Sequence, residues 1–237
     1  MDDLGTILGV FGHPDDETYL CAALMARAAR AGARVVCVTA TKGEGGSWDE
    51  KRWPSETMGE VRAQEMMESL AILGVKEHHW LDYIDGTCAD VPPAEGAAKV
   101  EAILRDVSPD AVITFGPDGM TDHPDHKAVC AWTTDAFRAA AKPGAKLYYA
   151  VATPEWVEEF GPRFAKFNVF APGFPPTVSK EDAAIYYEVP PDLLDLKLQA
   201  IERHVSQVEY MLKYFGEDFF REAHKIEMFG LAEVKGP

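Results

Sequence analysis

The chain has 237 residues, of which 47% are hydrophobic and 26% are charged, which is typical of a soluble globular protein with one large domain or two small ones. Its formal net charge is −16 and its isoelectric point is about 4.8. A surface this acidic repels phosphate backbones and anionic lipid headgroups, so we expect neither nucleic acid nor a membrane as a partner.

Cysteine usage and the first residues indicate a reducing compartment. None of the four cysteines forms a C-x-x-C pair, which argues against a structural zinc knuckle or a redox dithiol. The opening stretch MDDLGTILGVFG is acidic and lacks the basic region of a signal peptide. No apolar run approaches the length of a membrane span. We therefore expect a cytoplasmic protein.

The first part of the chain alternates between two hydrophobic patterns. Short apolar runs rich in β-forming residues predict strands, and the stretches between them predict helices, the second of which has apolar residues near 3.6-residue spacing. This alternation predicts βαβ crossovers and therefore a Rossmann-like, doubly wound α/β fold whose parallel sheet is covered on both faces. The predicted strands are 6–12, 33–41, 78–83, 110–116 and 146–153, and the predicted helices are 17–31, 55–73, 93–107 and 125–141.

The rest of the chain is predicted to belong to the same domain, which covers residues 1–237 with a core over 1–153. Residues 154–190 are rich in proline, glycine and aromatic residues and interrupt the alternation. Their composition is compatible with a pocket wall, a lid or a contact in a homo-oligomer. Residues 191–237 are predicted as a C-terminal helical region, with the helical pattern clearest up to about residue 215.

Two similar polar motifs follow the first and fourth predicted strands. The first is GHPDDE at 12–17, and the second is HPDH at 123–126. In the common strand order 3-2-1-4-5 these strands are neighbours, and ligands bind outside the carboxyl ends of the strands where the order reverses. The acids could instead serve only as helix caps, but the repetition of the motif favours a shared site.

A divalent metal explains both motifs. Catalytic zinc usually has three protein ligands of the histidine or carboxylate type and one water. His13, Asp16 and one histidine of the second motif provide such a set. Asp15 could then accept a proton from the attacking water, and the other histidine could stabilise an oxyanion. Residue chemistry alone does not decide whether His123 or His126 is the third ligand.

The same motifs resemble the two signatures of the PIG-L/LmbE-like family of zinc-dependent N-acetylglucosaminyl deacetylases. The resemblance covers positions 6 to about 130 and resumes in the C-terminal helical region. Weaker matches are the glycine-rich loop TKGEGG at 41–46, the R-x-x-E pair Arg62 and Glu65, and the K…H-x-S-Q set Lys197, His204, Ser206 and Gln207.

The resemblance implies a role for each residue of the two motifs. His13, Asp16 and His126 would bind one zinc ion per chain, although Fe²⁺ or Co²⁺ suits the same ligands. Asp15 would be the general base, and His123 the electrophilic or acid partner, oriented by Asp125. The candidate substrate-binding residues are Arg62, Glu44 in the glycine-rich loop, Trp48 and His204. Trp48 could stack on a sugar, or it could only anchor its loop together with Trp53. His204 could reach the pocket, or it could only cap or crosslink its helix.

These roles predict a hydrolase that removes an N-acetyl or other N-acyl group from an amino sugar or an amino-sugar conjugate. A zinc-activated water would attack the amide, and Asp15 would take its proton. Two alternatives stay open. The same site could cleave amides of thiol-sugar conjugates or of longer N-acyl chains, or the protein could be a non-catalytic module that binds a sugar or a nucleotide.

Overall fold

The computed structural model of the protein describes residues 3–175 and 177–234. Within these residues the chain forms seven strands and eight α-helices, with short 3₁₀ turns at Cys88–Asp90 and Ala165–Phe167. The strands are β1 (Ile7–Phe11), β2 (Val35–Thr41), β3 (Glu77–Tyr83), β4 (Ala111–Phe115), β5 (Lys146–Ala150), β6 (Ile185–Glu188) and β7 (Ile226–Leu231). The helices are α1 (Asp16–Arg30), α2 (Ser55–Leu73), α3 (Pro93–Val107), α4 (Pro124–Ala140), α5 (Pro154–Phe164), α6 (Pro191–Arg203), α7 (Val205–Phe215) and α8 (Glu217–His224).

All of these strands belong to one sheet, in the order β3-β2-β1-β4-β5-β7-β6. Strands β1 to β5 are parallel, whereas β7 pairs antiparallel with both β5 and β6. Strand β1 lies beside β4, with Gly9 opposite Ile113. The predicted α/β fold and the predicted neighbourhood of the first and fourth strands are therefore confirmed.

The apolar runs form the centre of the sheet. Every residue of β1, β2 and β4 is buried, because helices cover both faces of the sheet. Helices α2 and α3 have the predicted bounds. The glycine that ends α2, Gly74, has φ 76°, a left-handed conformation that suits glycine at a helix end.

The last third of the chain differs from its predicted form. The irregular segment contains α5 and β6, and the C-terminal helical region is interrupted at His204 and ends in β7. Strand β7 escaped the sequence analysis because a charged residue, Glu227, is its second residue and is buried, at 2% exposed. The alternation of apolar and polar residues that predicts a strand is therefore obscured.

Glu227 connects three elements of the fold. Helix α1 has a break at Cys21 (φ −143°, ψ 18°), which frees backbone N–H groups in the next turn. The N–H groups of Ala23 and Leu24 donate to the Glu227 carboxylate at 2.8 and 2.9 Å. The Nζ atom of Lys197, from α6, donates to the same carboxylate at 2.9 Å. The buried Lys197 therefore neutralises Glu227, which a buried carboxylate requires.

Among the described residues, no helix is both long enough and apolar enough to span a membrane.

Candidate metal centre and catalytic site

The two polar motifs meet at the carboxyl edge of the sheet. The first continues from β1 into α1, and the second stands at the start of α4, which follows β4. Because β1 and β4 are paired, their carboxyl ends open onto the same crevice. His13 and His126 are 113 positions apart in the chain, yet their rings are in contact.

The three expected ligands converge at the centre of this crevice. The Nδ1 atom of His13 lies 3.0 Å from Nε2 of His126. The carboxylate of Asp16 reaches both rings, at 3.7 Å from His13 Nδ1 and 3.4 Å from His126 Nε2. Ligands that bind a tetrahedral zinc ion at about 2.0 to 2.2 Å lie roughly 3.3 Å from one another. The spacing of the three groups therefore suits one such ion.

The outward ring nitrogens orient both histidines. His126 Nδ1 donates to the carbonyl of Gly119 at 3.0 Å, which leaves the lone pair of Nε2 directed at the crevice. His13 Nε2 lies 3.2 Å from Asp125 Oδ2 and 3.1 Å from Asp85 Oδ1. Its Nδ1 atom is thus the one that faces Asp16 and His126. Carboxylates or carbonyls behind the imidazoles are the usual support of a metal site.

The electrostatics of the crevice also favour a cation. Burial lowers the pKa of His13, but its hydrogen bonds to Asp125 and Asp85 and the charge of Asp16 outweigh this and raise it to about 10. Burial lowers the pKa of His126 well below its usual range, and the charge on His13 adds to this effect. Positive charge is therefore stabilised between these groups, and a metal ion held there would take the place of the proton. Two groups of side chains could hold a metal ion here, His13 with His123 and His126, and His13 with Asp85 and Asp125. With the adjacent Asp16 carboxylate they form a candidate His/Asp metal site.

Asp15 lies at the edge of this site in an unusual backbone conformation. Its φ is 106° and its ψ −29°, a combination that is costly for a residue other than glycine. Two contacts hold the turn: the Asp15 N–H donates to Glu17 Oε2 at 3.1 Å, and Arg62 Nη2 donates to the carbonyl of Pro14 at 2.6 Å. Strain of this kind persists only where the surroundings enforce it, and it is common at functional sites.

The Asp15 carboxyl has the properties of a general base. Its Oδ2 atom lies 3.3 Å from Arg62 Nη2. Burial raises the pKa of Asp15 to about 6, with the Arg62 charge opposing the rise and Asp16 adding to it. A carboxylate with a raised pKa is a better proton acceptor near neutral pH than an ordinary aspartate.

His123 faces the crevice from the opposite side. Its ring packs edge-on against His13, with 4.7 Å between the ring centres. Its Nδ1 atom accepts the backbone N–H of Asp125 at 3.2 Å, so in the neutral ring the proton is on Nε2. Burial, followed by the charge on His13, lowers the pKa of His123 and keeps the ring neutral. A neutral imidazole with a free N–H can donate to developing negative charge.

The position of Asp125 corrects one expectation. Its side chain contacts His13 rather than His123, because its two oxygens accept the N–H groups of Gly86 at 2.7 Å and Cys88 at 3.0 Å. These bonds point the carboxylate at His13 Nε2. Asp125 therefore orients an expected metal ligand, and only its backbone N–H contacts His123.

The expected substrate-binding residues take different positions. Arg62 lines the crevice, but its side chain is buried. Besides its bonds to the Asp15 turn, its Nη1 atom donates to the carbonyl of Gly43 at 3.1 Å. Trp48 lies at the rim, is 53% exposed, and donates from Nε1 to Gln207 Oε1 at 3.3 Å. Trp53 lies outside the crevice lining, beneath the Arg52 guanidinium at 4.9 Å.

The other two expected residues do not line the crevice. The Glu44 carboxylate accepts the backbone N–H of Asp85 at 3.2 Å and so supports a loop. His204 is fully buried behind Asp15, with Nε2 3.3 Å from Glu17 Oε1. The structure therefore does not indicate direct substrate binding by Glu44 or His204, which was expected from the sequence. His204 instead places the α6–α7 junction beside Glu17 of α1.

Two residues of the site were missed by sequence reasoning. Asp85 follows β3 at the same edge of the sheet as the motifs, and that position was a signal that could have identified it. Tyr19 lines the crevice one turn into α1, and its buried hydroxyl makes no hydrogen bond to a described residue. Nothing in the local pattern distinguishes Tyr19 from a core residue of the helix.

The fold and the site together define a Rossmann-like α/β protein with a candidate His/Asp metal centre at the point where the strand order reverses. Residues 8–137 match the PIG-L family, described as GlcNAc-PI de-N-acetylase. That segment is more than half of the chain, and the protein belongs to this family.

Similar proteins extend over the whole chain. The 1D-myo-inositol 2-acetamido-2-deoxy-alpha-D-glucopyranoside deacetylase of Thermobifida fusca is 31% identical, over 100% of this chain and 95% of that protein. The protein of the same name from Kineococcus radiotolerans is 30% identical, over 88% of this chain and 70% of that protein. Among solved structures, the A40926 pseudoaglycone deacetylase Dbv21 has a TM-score of 0.69 at 20% identity, covering 99% of this chain and 100% of that one. The zinc-inhibited teicoplanin deacetylase Orf2 has a TM-score of 0.67 at 18% identity, covering 97% and 100%. These two likenesses concern the fold.

Proposed function

We propose that the protein is a zinc-dependent hydrolase that removes the N-acyl group of an amino-sugar conjugate. The observation that carries this proposal is the position of Asp15, a half-buried carboxylate with a pKa of about 6 beside the three converging groups of the candidate metal site. The names of the relatives support the substrate class, since they describe deacetylases of N-acetylglucosaminyl inositol.

His13, Asp16 and His126 would hold the metal. Bound there, zinc supplies Lewis acidity, which polarises a carbonyl and acidifies water. Zinc fits the mixture of imidazole and carboxylate ligands, and Fe²⁺ or Co²⁺ would fit the same set.

The protein's own residues account for the proton transfers. Asp15 accepts a proton from the water that attacks the amide carbon, and it then delivers that proton to the departing amine. The Nε2–H of His123 donates a hydrogen bond to the carbonyl oxygen as negative charge develops on it. Arg62 holds the Asp15 turn and keeps its carboxylate directed at the crevice. No covalent intermediate with the protein is needed.

The experiment that tests the proposal combines metal analysis with detection of free amine. The purified protein is stripped with chelator, reloaded separately with Zn²⁺, Fe²⁺ or Co²⁺, and incubated with N-acetylglucosamine, with its inositol conjugate and with other N-acylated amino sugars. We expect about one metal ion per chain and release of amine that depends on it. A metal-loaded protein that binds these sugars but releases no amine would instead indicate a non-catalytic module.

A further inference from the structure

The crevice continues into a cavity of about 760 Å³. Cavities of roughly 300 to 1,000 Å³ hold ligands of drug size, and an amino sugar with its N-acetyl group fills only part of such a space. We propose that the cavity receives an extended apolar acyl chain, so that the protein removes N-acyl groups longer than acetyl from its amino sugar. This inference rests on the proposed function and specifies the substrate class of the same site.

The strand order divides the cavity lining into two walls on either side of the metal site. Loops that follow β2 and β3, together with the first turns of α7, form a polar wall, defined by Gly45, Gly46, Ser47, Trp48, Asp85 and Gln207. Elements beside β5 and β7 form an apolar wall, defined by Val151, Trp156, Phe164, Phe170, Met211 and Met228. Because β1 and β4 lie between these two groups of strands, the metal site lies between the two walls.

Most polar groups beside the apolar wall are already paired within the protein; the exception is the Tyr19 hydroxyl, whose ring lies 5.4 Å from that of His224. The indole N–H of Trp156 donates to the carbonyl of Ala223 at 2.8 Å. His224 Nδ1 donates to the carbonyl of Phe220 at 2.7 Å, and the Glu227 carboxylate is bonded to Lys197. This wall therefore offers a ligand mostly apolar surface, and a sugar placed against it would lose hydrogen bonds to water without replacement.

Helix α7 joins the two walls. Gln207 and Met211 are four positions apart and so lie on the same face of the helix. Gln207 Nε2 donates to the carbonyl of Gly46 at 3.0 Å on the polar side, whereas Met211 packs with the aromatic cluster of Phe164 and Phe219 on the other. A ligand that follows this face passes from polar to apolar surroundings within one helical turn.

The position of Asp15 fixes which end of the amide meets which wall. Asp15 must approach the amine to protonate it, and it is held by Arg62 from the side of α2 and β2. The amine and its sugar therefore face the polar wall. The acyl group leaves the carbonyl carbon in the opposite direction, toward the apolar wall. An apolar group on the sugar's anomeric carbon would have to fold back across the metal site to reach the same space.

The test compares acyl length with aglycone length in the zinc-loaded wild-type protein. One series is glucosamine carrying N-acetyl, N-butyryl, N-hexanoyl or N-octanoyl groups, and the other is N-acetylglucosamine as its methyl or octyl glycoside. We expect kcat/KM to rise about fourfold per methylene along the acyl series, from the transfer free energy of a CH₂ group. We expect the two glycosides to differ by less than threefold. A flat or falling acyl series, or a rise confined to the octyl glycoside, would overturn the inference while leaving deacetylation established.

Binding to an inactive variant separates this inference from the proposed function. Zinc-loaded Asp15→Asn protein is titrated with N-acetyl- and N-octanoylglucosamine by calorimetry. We expect the octanoyl compound to bind at least on the order of 10²-fold more tightly, even if no substrate is turned over. Equal affinities would exclude the acyl chain as the occupant of the cavity.

A pair of variants on α7 tests where the acyl chain of the substrate binds. Met211→Gln places a polar group of similar size in the apolar wall, and we expect the octanoyl-to-acetyl ratio of kcat/KM to fall about tenfold. Leu212→Gln changes the next residue, which does not line this cavity, and should leave the ratio at the wild-type value. The inference fails if Met211→Gln folds with a normal melting temperature and keeps that ratio.

Discussion

The Nδ1 atom of His13 and the Nε2 atom of His126 face each other at 3.0 Å, and the outward nitrogen of each ring is bonded to protein oxygen. Each ring therefore directs its remaining nitrogen at the same point, where the Asp16 carboxylate also arrives. Three electron-pair donors gathered so closely are stabilised by a shared cation.

Replacing His126 by alanine should remove the metal. The substitution deletes one of three ligands and leaves His13 and Asp16 too few to hold an ion at ordinary concentrations. We expect metal content measured by atomic absorption to fall from about one per chain to near zero. His79→Ala, on β3 and outside the candidate metal groups, is the matched control and should retain its metal. Full occupancy in His126→Ala protein would show that the ligand set is wrong.

Replacing Asp15 by asparagine should separate metal binding from turnover. Asparagine tolerates positive φ and keeps an oxygen for Arg62, so we expect the turn and the metal site to persist. The amide cannot accept the proton, and turnover should fall by a factor on the order of 10² or more. The control is Asp82→Asn, an exposed aspartate that also has positive φ. Unchanged turnover in a metal-loaded Asp15→Asn protein would disprove the general-base role.

Replacing Gly12 by alanine should weaken metal binding although it substitutes none of the expected ligands. A Cβ atom at position 12 would lie 2.9 Å from His126 Cδ2, and the His126 ring cannot retreat because it stacks on Phe115 with 4.0 Å between ring centres. We expect metal affinity, measured by chelator competition, to fall on the order of 10- to 100-fold. Gly230→Ala is the control, since its Cβ would meet Val151 Cγ1 at an ordinary 3.7 Å. Equal affinities in both variants would mean that the crowding is harmless.

His224 should make the metal-free protein sensitive to acid. Burial, followed by the charge of Lys197, lowers the pKa of His224 from 6.5 to about 3. Between these values the unfolded chain binds a proton that the folded chain does not, so the free energy of unfolding must fall as the pH falls. The contribution of one such group approaches about 1.4 kcal/mol per pH unit.

The comparison with His224→Asn isolates this contribution. Asparagine cannot titrate, but its amide can still donate to the carbonyl of Phe220 as the His224 ring does. Urea unfolding at several pH values between 7 and 4, with chelator present, should give a shallower loss of stability in the variant. Parallel curves for the two proteins would show that His224 is not the source of the acid sensitivity.

The sequence predicted the centre of the fold well and its C-terminal edge poorly. Strands β1, β2 and β4 are uninterrupted apolar runs because both of their faces are covered, and such runs are readable from local pattern alone. Strand β7 is different, since Glu227 interrupts its pattern and is tolerated only through a partner on α6. That partner is 30 positions away, so no local window contains the reason for the strand.

The candidate site also has one part that the sequence predicted and one part that it did not. The motifs GHPDDE and HPDH, read with the expected adjacency of their strands, identified the groups that converge in the crevice, because the position of a motif at a strand end is a property of the local chain. Where each side chain points was decided by contacts with residues far away in the chain. The N–H groups of Gly86 and Cys88 turn Asp125 toward His13. The His204 ring lies beside the Glu17 carboxylate and away from the crevice.

The sequence by itself therefore determined the α/β architecture and the chemical types gathered at the joint end of β1 and β4, since hydrophobic period and turn residues act over a few positions. Only the tertiary structure decided the strain at Asp15, the support of both histidines, and the apolar wall beside β5 and β7. These features depend on contacts between segments far apart in the chain, and such contacts form only when the sheet and its helices have packed together.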